Sequence, residues 1–415
     1  MSLLIKESKF LQVTILTISL AFSTTPLIAQ TTVLKDIYPG NYDSDIEYMT
    51  VIDSVMYFVA DVSDEDEGEL FITDGTPEGT QKISDIAPPH DFPDIEDVTP
   101  LGNKIIFTAV TDEMGREPYI SDGTFSGTQL IEDINPDDGY SEAEHFGVMN
   151  GKAYFPAEDG SYPDANNGEE LWVSDGTSGG TYMIKDIFPG TYEDHPDIEY
   201  DSSPTNFASI NRTVLFKAES DSVSKHYLYT TDGTEEGTVK FLEEEDVFIH
   251  QEPIEYNGNW YFISGTKLWK SDGTPTGTTV VIDMAEGNYV IEDGSDLSNK
   301  LFRYNGHIYF FSTYTLWKTD GTHAGTEVAV EGLFSLFDYH HTDFAALFND
   351  HIYFAATDED YGQANVSGRE LWMTDGTQEG TMYVANLRTG IDRGEPDDSD
   401  PEDLRVLNGK LYFTT

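Results

Sequence analysis

The sequence contains no cysteine. Disulfides and thiolate-bound metals are therefore excluded, and an exported form would have to stand on its hydrophobic core. Positive charge is scarce: 22 Lys and Arg oppose 77 Asp and Glu, for a formal charge of −55 and a pI near 4.1. Such a chain is a poor partner for nucleic acid or for an anionic membrane surface. Its self-repulsion is appreciable in dilute buffer and falls where salt shortens the Debye length to about 8 Å. No apolar run after residue 29 is long enough to span a bilayer. The familiar catalytic signatures are missing too. There is no Gly-x-Ser-x-Gly elbow, no Gly-x-x-x-x-Gly-Lys phosphate loop and no His-Glu-x-x-His. The one histidine doublet, His340-His341, reads as exposed, because adjacent side chains diverge.

Residues 1–29 read as a signal peptide. Lys6 and Lys9 precede an apolar region from Leu11 to Phe22, and Leu27-Ile28-Ala29 precedes Gln30. A membrane anchor is the alternative, but the apolar region is short and is broken by Thr and Ser. Residues 30–415 read as a single domain, because one pattern runs through them without a break.

That pattern is clearest from Gly168 to Gly190. The apolar run Leu171-Trp172-Val173 enters a turn from Ser174 to Thr181, and Tyr182-Met183-Ile184 leaves it. Run, turn and run make a β-hairpin. The turn's aspartate recurs at Asp74, Asp122, Asp175, Asp232, Asp272, Asp320 and Asp375. Glycine follows each one, and a Gly-Thr pair closes each turn. The spacing of about 40–55 residues points to a repeat architecture. A second hairpin lies between successive copies of the first. It is marked by Asn150-Gly151, Asn257-Gly258, Asn305-Gly306 and Asn408-Gly409, each followed by an aromatic pair such as Tyr154-Phe155. Each unit therefore holds four strands, A to D, with A joined to B at the Asn-Gly turn and C to D at the Asp-Gly-Thr turn.

Four short strands per unit predict an all-β fold, a β-propeller of four-stranded antiparallel blades. Separate β-sandwiches are the weaker reading, since they need about 100 residues each. Seven full blades are expected, with an incomplete eighth. Leu404 to Thr415 supplies only A and B of that blade, and the segment beginning near Thr31 matches strand D. The N-terminal strand is expected to complete the eighth blade and close the ring. Two readings of the end remain open. The sequence is a fragment whose eighth blade is finished downstream, or the blade is short, with D beside B.

The Glu-Leu-Trp-x-Ser/Thr-Asp-Gly-Thr pattern, complete in Glu170–Thr177 and Glu370–Thr377, resembles the ELWxxDGT repeat family of exported bacterial proteins. Phe71, Tyr119 and Tyr229 replace the tryptophan, and Lys267 and Thr315 replace the glutamate. The resemblance implies an exported, propeller-like bacterial repeat protein. It implies little about activity, because the repeat and not a reaction defines the family.

Candidate sites lie in the variable B–C and D–A loops, at the end of the blades away from the uniform turns. The seven turn aspartates read as structural, each satisfying its own backbone. Carboxylate clusters in the loops suit calcium, which takes six to eight oxygens. Asp64, Asp66, Asp358 and Asp360 are the candidate ligands, although none has EF-hand spacing. Trp172, Trp269, Trp317 and Trp372 read as core, whereas Tyr140, Tyr192, Tyr200 and Tyr361 are candidates for stacking on sugars. The functional expectation is a non-enzymatic, secreted or cell-surface binding scaffold, with Ca2+ as the candidate ion and an extracellular protein or glycan as partner. The alternative is a carbohydrate-active enzyme using carboxylates on the loop face.

Overall fold

The computed structural model describes residues 34–39, 44–63, 68–86, 93–136, 139–160, 167–192, 195–220, 225–245, 247, 249, 253–284, 301–312, 315–333, 345–356, 369–385, 391–392, 395–396, 399 and 401–414. The signal-peptide segment, the proposed calcium ligands Asp64, Asp66, Asp358 and Asp360, Tyr361 and the pair His340-His341 lie outside them.

The protein is a β-propeller. Seven antiparallel sheets of four strands stand in a ring, each in simple A-B-C-D order. Blade 1, for example, consists of Glu47–Ile52, Val55–Ala60, Glu69–Thr73 and Gln81–Lys82. Strands A of neighbouring blades pack on one another, so they form the innermost layer. Strand D is the outer edge and varies in length, from two residues in blades 1 and 2 to seven in blade 4.

The local sequence explains the hairpins. At the A–B turns, Asn150-Gly151, Asn257-Gly258, Asn305-Gly306 and Asn408-Gly409 all have two consecutive positive φ angles. A two-residue hairpin loop needs that geometry if it is to match the strand twist, and Asn with Gly adopts it at least cost.

Strands B and C meet in one repeated register. The Phe of each B strand lies opposite the aromatic of each C strand: Phe58 and Phe71, Phe107 and Tyr119, Phe155 and Trp172, Phe216 and Tyr229, Phe262 and Trp269, Phe310 and Trp317, Phe354 and Trp372. Direct cross-strand aromatic pairs are each worth about 0.2–1 kcal/mol beyond an alanine pair. The substitutions of Phe71, Tyr119 and Tyr229 for tryptophan keep this pair intact. Trp269 and Trp317 are buried, and Trp172 and Trp372 pack half-buried against their clusters.

Alternate residues of each strand face opposite neighbours, so the core lies between blades. The described residues form eight apolar clusters. Six join successive blades from 1 to 7. The seventh joins blade 7 to the terminal hairpin, Glu402–Leu407 and Lys410–Thr414, through Tyr353, Leu371, Leu411 and Phe413. The eighth joins that hairpin to blade 1 through Leu407, Tyr412, Met49 and Phe58. The hairpin thus occupies an eighth sector between the last and first blades.

The N-terminal segment belongs to the same sector. Leu34 and Ile37 are buried in the cluster that holds Phe58, Phe71 and Tyr412. They repeat Ile184 and Ile187 at the end of blade 3, which pack on Phe216 and Tyr229 of blade 4. Lys35 Nζ donates to the Thr80 carbonyl at 2.6 Å, as Lys185 Nζ donates to the Thr238 carbonyl at 2.7 Å. Residues 34–39 therefore hold the strand-D position of the eighth sector, although they form no strand themselves.

Candidate functional site

The two ends of the blades differ in chemistry. At the turn end, each aspartate caps its own loop. In all seven turns the Asp Oδ1 accepts from the backbone N–H and the Oγ1 of the threonine two residues on, at 2.9–3.0 and 2.6–2.7 Å. The closing threonine donates back to that threonine's carbonyl and pairs with the Ser or Thr that ends strand C, as Thr181 does with Thr177 and Ser174. The threonine bonds hold the carboxyls of Asp74, Asp122, Asp272 and Asp320 below the usual aspartate range. This donor set is closed on itself, and it accounts for the Ser/Thr, Asp and Thr positions of the turn.

The glutamate of the motif works at the other end. Glu117 is fully buried, and its two oxygens accept from the Ile134 and Asn135 amides at 3.0 Å. Glu170 accepts from the amides of Ile187 at 2.7 Å and Phe188 at 3.4 Å, and from Ser202 Oγ at 2.6 Å. Glu69 and Glu370 bind the Ser84 and Ser399 hydroxyls in the same way. Each glutamate ties the D–A loop to the start of strand C. Burial pushes the carboxyls of Glu117 and Glu170 up to about 8, against the hydrogen bonds that pull them down.

The D–A loops then deliver a second repeated feature that the motifs do not announce. Tyr48, Asp97, His145, Asn206 and Asp403, at the loop end of the innermost strands, all have φ between 49° and 56°. In blades 1, 2 and 4 and in the hairpin the pairing slips beside them, between Glu47 and Thr50, Glu96 and Thr99, Thr205 and Ala208, and Glu402 and Arg405. Three steps on strand A span two on strand B, which is a β-bulge. Non-glycine residues in this conformation carry backbone strain, and such strain gathers at functional sites.

Around these bulges the charge is dense. Asp97 Oδ2 accepts from the His145 amide at 2.7 Å, and His145 Nδ1 lies 3.2 Å from Glu144 Oε1. Asp97, Glu144 and His145 offer ligand atoms within 4.8 Å of one another. Two carboxylates and an imidazole are a donor set suited to a divalent cation. The Glu144 hydrogen bond raises the His145 pKa, and burial opposes it. Buried Arg116 ties Asp94 and Glu96 together, with Nη1 3.0 Å from Glu96 Oε2. Burial raises Glu96, Arg116 lowers it, and Asp94, Asp97 and Glu144 raise it further. Glu158 is raised by burial and by Asp201 and Glu142, and Glu169 is pushed up to about 7 by burial and the same neighbours. Between blades 1 and 2 a cleft of about 220 Å3 is lined by Asp45, Glu47, Asp61, Asp94 and Glu96, among others.

Among the aromatic candidates, Tyr140 is exposed. Tyr200 lies flat on Phe188, with ring centroids 4.2 Å apart, so one face of its ring is already covered. The side chain of Tyr192 lies outside the described residues.

No family model matches the chain, and no curated protein is similar to it. Solved structures resemble it over much of its length. One is an S511A mutant of puromycin hydrolase complexed with PGG, at 12% identity and a TM-score of 0.47, covering 89% of this chain and 57% of that one. Another is prolyl oligopeptidase B from Galerina marginata, at 12% identity and 0.46, covering 88% and 54%. A third is an uncharacterized Listeria monocytogenes protein, lmo1340, at 11% and 0.40, covering 72% and 84%. The chain spans about half the length of the hydrolase and peptidase chains it matches first.

Proposed function

We propose that this propeller is a non-enzymatic binding scaffold, exported to the cell surface or secreted, whose ligand docks on the loop end of the blades. The observation that carries the reading is the crowding of Asp94, Glu96, Asp97, Glu144, Glu158 and Glu169 at that end. Burial and mutual repulsion hold several of these carboxyls above their ordinary range. Such a surface gains most from a divalent cation, or from a partner that presents cationic groups. The partner class is an extracellular protein or glycan, and calcium is the candidate ion, through Asp64, Asp66, Asp358 and Asp360 or through the bulge cluster. Export rests on the features of residues 1–29, with the ELWxxDGT resemblance as further support.

Calcium titration against thermal melting tests this reading. A rise in melting temperature at millimolar calcium, lost in Asp97→Asn, is the expected result. An unchanged melting temperature removes calcium from the account.

One observation favours a second reading, a carbohydrate-active enzyme. Burial raises Glu169 to about 7, Asp201 adds to the rise, and Asp201 Oδ1 accepts from the Glu169 backbone amide at 2.9 Å, so two acidic side chains with different surroundings stand close together. Hydrolysis of a glycan panel that Glu169→Gln abolishes would reverse the order of the two readings.

A further inference from the structure

The residue just before the motif glutamate, at the start of strand C, holds one structural place in several blades. It is Arg116 in blade 2, Arg369 in blade 7 and, by strand register, His226 in blade 4. In each of these blades a basic side chain meets acids there. Arg116 Nη1 lies 3.0 Å from Glu96 Oε2 and donates to the Asp94 carbonyl at 3.2 Å and to Thr108 Oγ1 at 3.3 Å, while Nη2 bonds the Asp94 carboxylate. Arg369 crosses to the next sector, where its Nη1 lies 3.9 Å from Glu402 Oε1. His226 Nε2 lies 2.9 Å from Glu219 Oε1. Both arginines are buried.

Blade 1 keeps the acids and lacks the base. Its register matches that of blade 2: Glu47 faces Val59 as Glu96 faces Thr108, and Glu69 faces Ala60 as Glu117 faces Ala109. Asp45 and Glu47 therefore hold the places of Asp94 and Glu96, and Asp61, next after Ala60, holds that of Glu219 in blade 4. Gly68 stands where Arg116 stands. The cleft of about 220 Å3 opens at this point, with Asp45, Glu47, Asp61 and Gly68 on one side and Asp94 and Glu96 of blade 2 on the other. Its lining residues include no Lys or Arg. Asp45 and Glu47 are exposed. Gly68 has φ +70°, so a side chain at that position would carry backbone strain, and the cleft is not readily filled from its own strand. Pockets for drug-sized ligands run to about 300–1,000 Å3, so this one admits a single side chain and little more.

We infer that the cleft between blades 1 and 2 binds an arginine side chain of a partner polypeptide, in the place that Arg116 takes in blade 2. The repeat itself specifies the ligand: equivalent positions in the same chain already hold a guanidinium in one blade and leave its place open in another. A guanidinium offers a planar fork of donors that two carboxylates can share, whereas an ammonium is a point charge. The partner's arginine meets Asp45 and Glu47 as Arg116 meets Asp94 and Glu96, and Asp61 adds a third carboxylate. The inference rests on the reading of the loop end as a docking face, and gives that face one chemically defined contact.

The test uses the intact chain and the capped tripeptide acetyl-Gly-Arg-Gly-amide in a calorimetric titration. Saturable one-to-one binding that weakens as sodium chloride is added is the expected result. The same peptide with citrulline, which keeps the side-chain shape and loses its charge, should bind at least about tenfold more weakly, and the lysine peptide should also bind more weakly. The double variant Asp45→Asn, Glu47→Gln changes only exposed side chains; it should keep a cooperative melt and lose at least about tenfold in affinity. No saturation at millimolar peptide, equal binding of the citrulline or lysine peptide, or full affinity in the double variant would overturn the inference. Tighter binding of agmatine than of the arginine peptide would assign the cleft to a small guanidino compound and overturn the polypeptide source. Absence of peptide binding beside an intact calcium response would remove the arginine site alone and leave the docking reading standing.

Discussion

Gly176 and Gly180 bracket one turn for different reasons. Gly176 has φ +83°, and a methyl group there would also meet Ile120 Cδ1 at 2.7 Å. Gly180 is constrained because the Asp175 carboxylate lies where its side chain would be. Gly176→Val should therefore cost at least about 1 kcal/mol, measured by urea unfolding; a neutral result would contradict the turn geometry. The motif glutamates make a second residue-scale prediction. Glu117 and Glu170 titrate near 8 in the folded protein, against an ordinary value of 4.5. Both folded values are raised, so their contribution is fully present below about 4.5 and is lost as pH rises toward 8. Melting temperature should fall over that window, and Glu117→Gln with Glu170→Gln, which cannot ionise, should flatten part of the slope. The role of these glutamates was not legible in the sequence. A Glu before Leu-Trp reads equally well as a solvent-facing residue, and only the return of the D–A loop onto strand C shows that it is a buried clamp.

At the scale of the element, the hairpins were readable because their chemistry is local. Asn-Gly demands positive φ, and Asp-Gly-Thr closes on its own side chains within a few residues. The positive φ angles at Tyr48, Asp97, His145, Asn206 and Asp403 were not readable. Four different residue types share one backbone conformation at these five positions, so no residue pattern marks it. At Tyr48, Asp97, Asn206 and Asp403 it accompanies the pairing slip of strand A against strand B, a contact between strands and not a property of either. The candidate site was legible only as an end of the blades, and the cluster of Asp97, Glu144 and His145 emerged once two D–A loops came together. The B–C aromatic pair gives the prediction at this scale. Trp317 is almost completely buried over Phe310, with ring centroids 6.1 Å apart. Trp317→Ala should cost about 3–5 kcal/mol, read as a shift in the unfolding midpoint. Trp172→Ala, on a half-buried ring, should cost less. Equal costs at the two sites would mean that burial between blades does not set the contribution of this pair.

For the whole molecule, the ring is held by eight contacts of one kind, seven of them legible from the repeat and the eighth from its broken ends. A charge of −55 works against this closure at low ionic strength. Melting temperature should rise with sodium chloride, steeply at first and then levelling as the Debye length falls below about 8 Å. The central claim is that the terminal hairpin seals the ring against blade 1. Asn408 Nδ2 donates at 3.1 Å to the carbonyls of Ser54 and Asp74, residues more than three hundred positions away in sequence. Both Ser54 and Asn408 are exposed, and the chain has no native cysteine. The most direct measurement is therefore a short thiol cross-linker applied in dilute solution to the double variant Ser54→Cys, Asn408→Cys. A closed ring predicts rapid formation of an intramolecular cross-link, located by peptide mapping between those two positions. Products that are only singly modified, or cross-linked only between molecules, would contradict the closure.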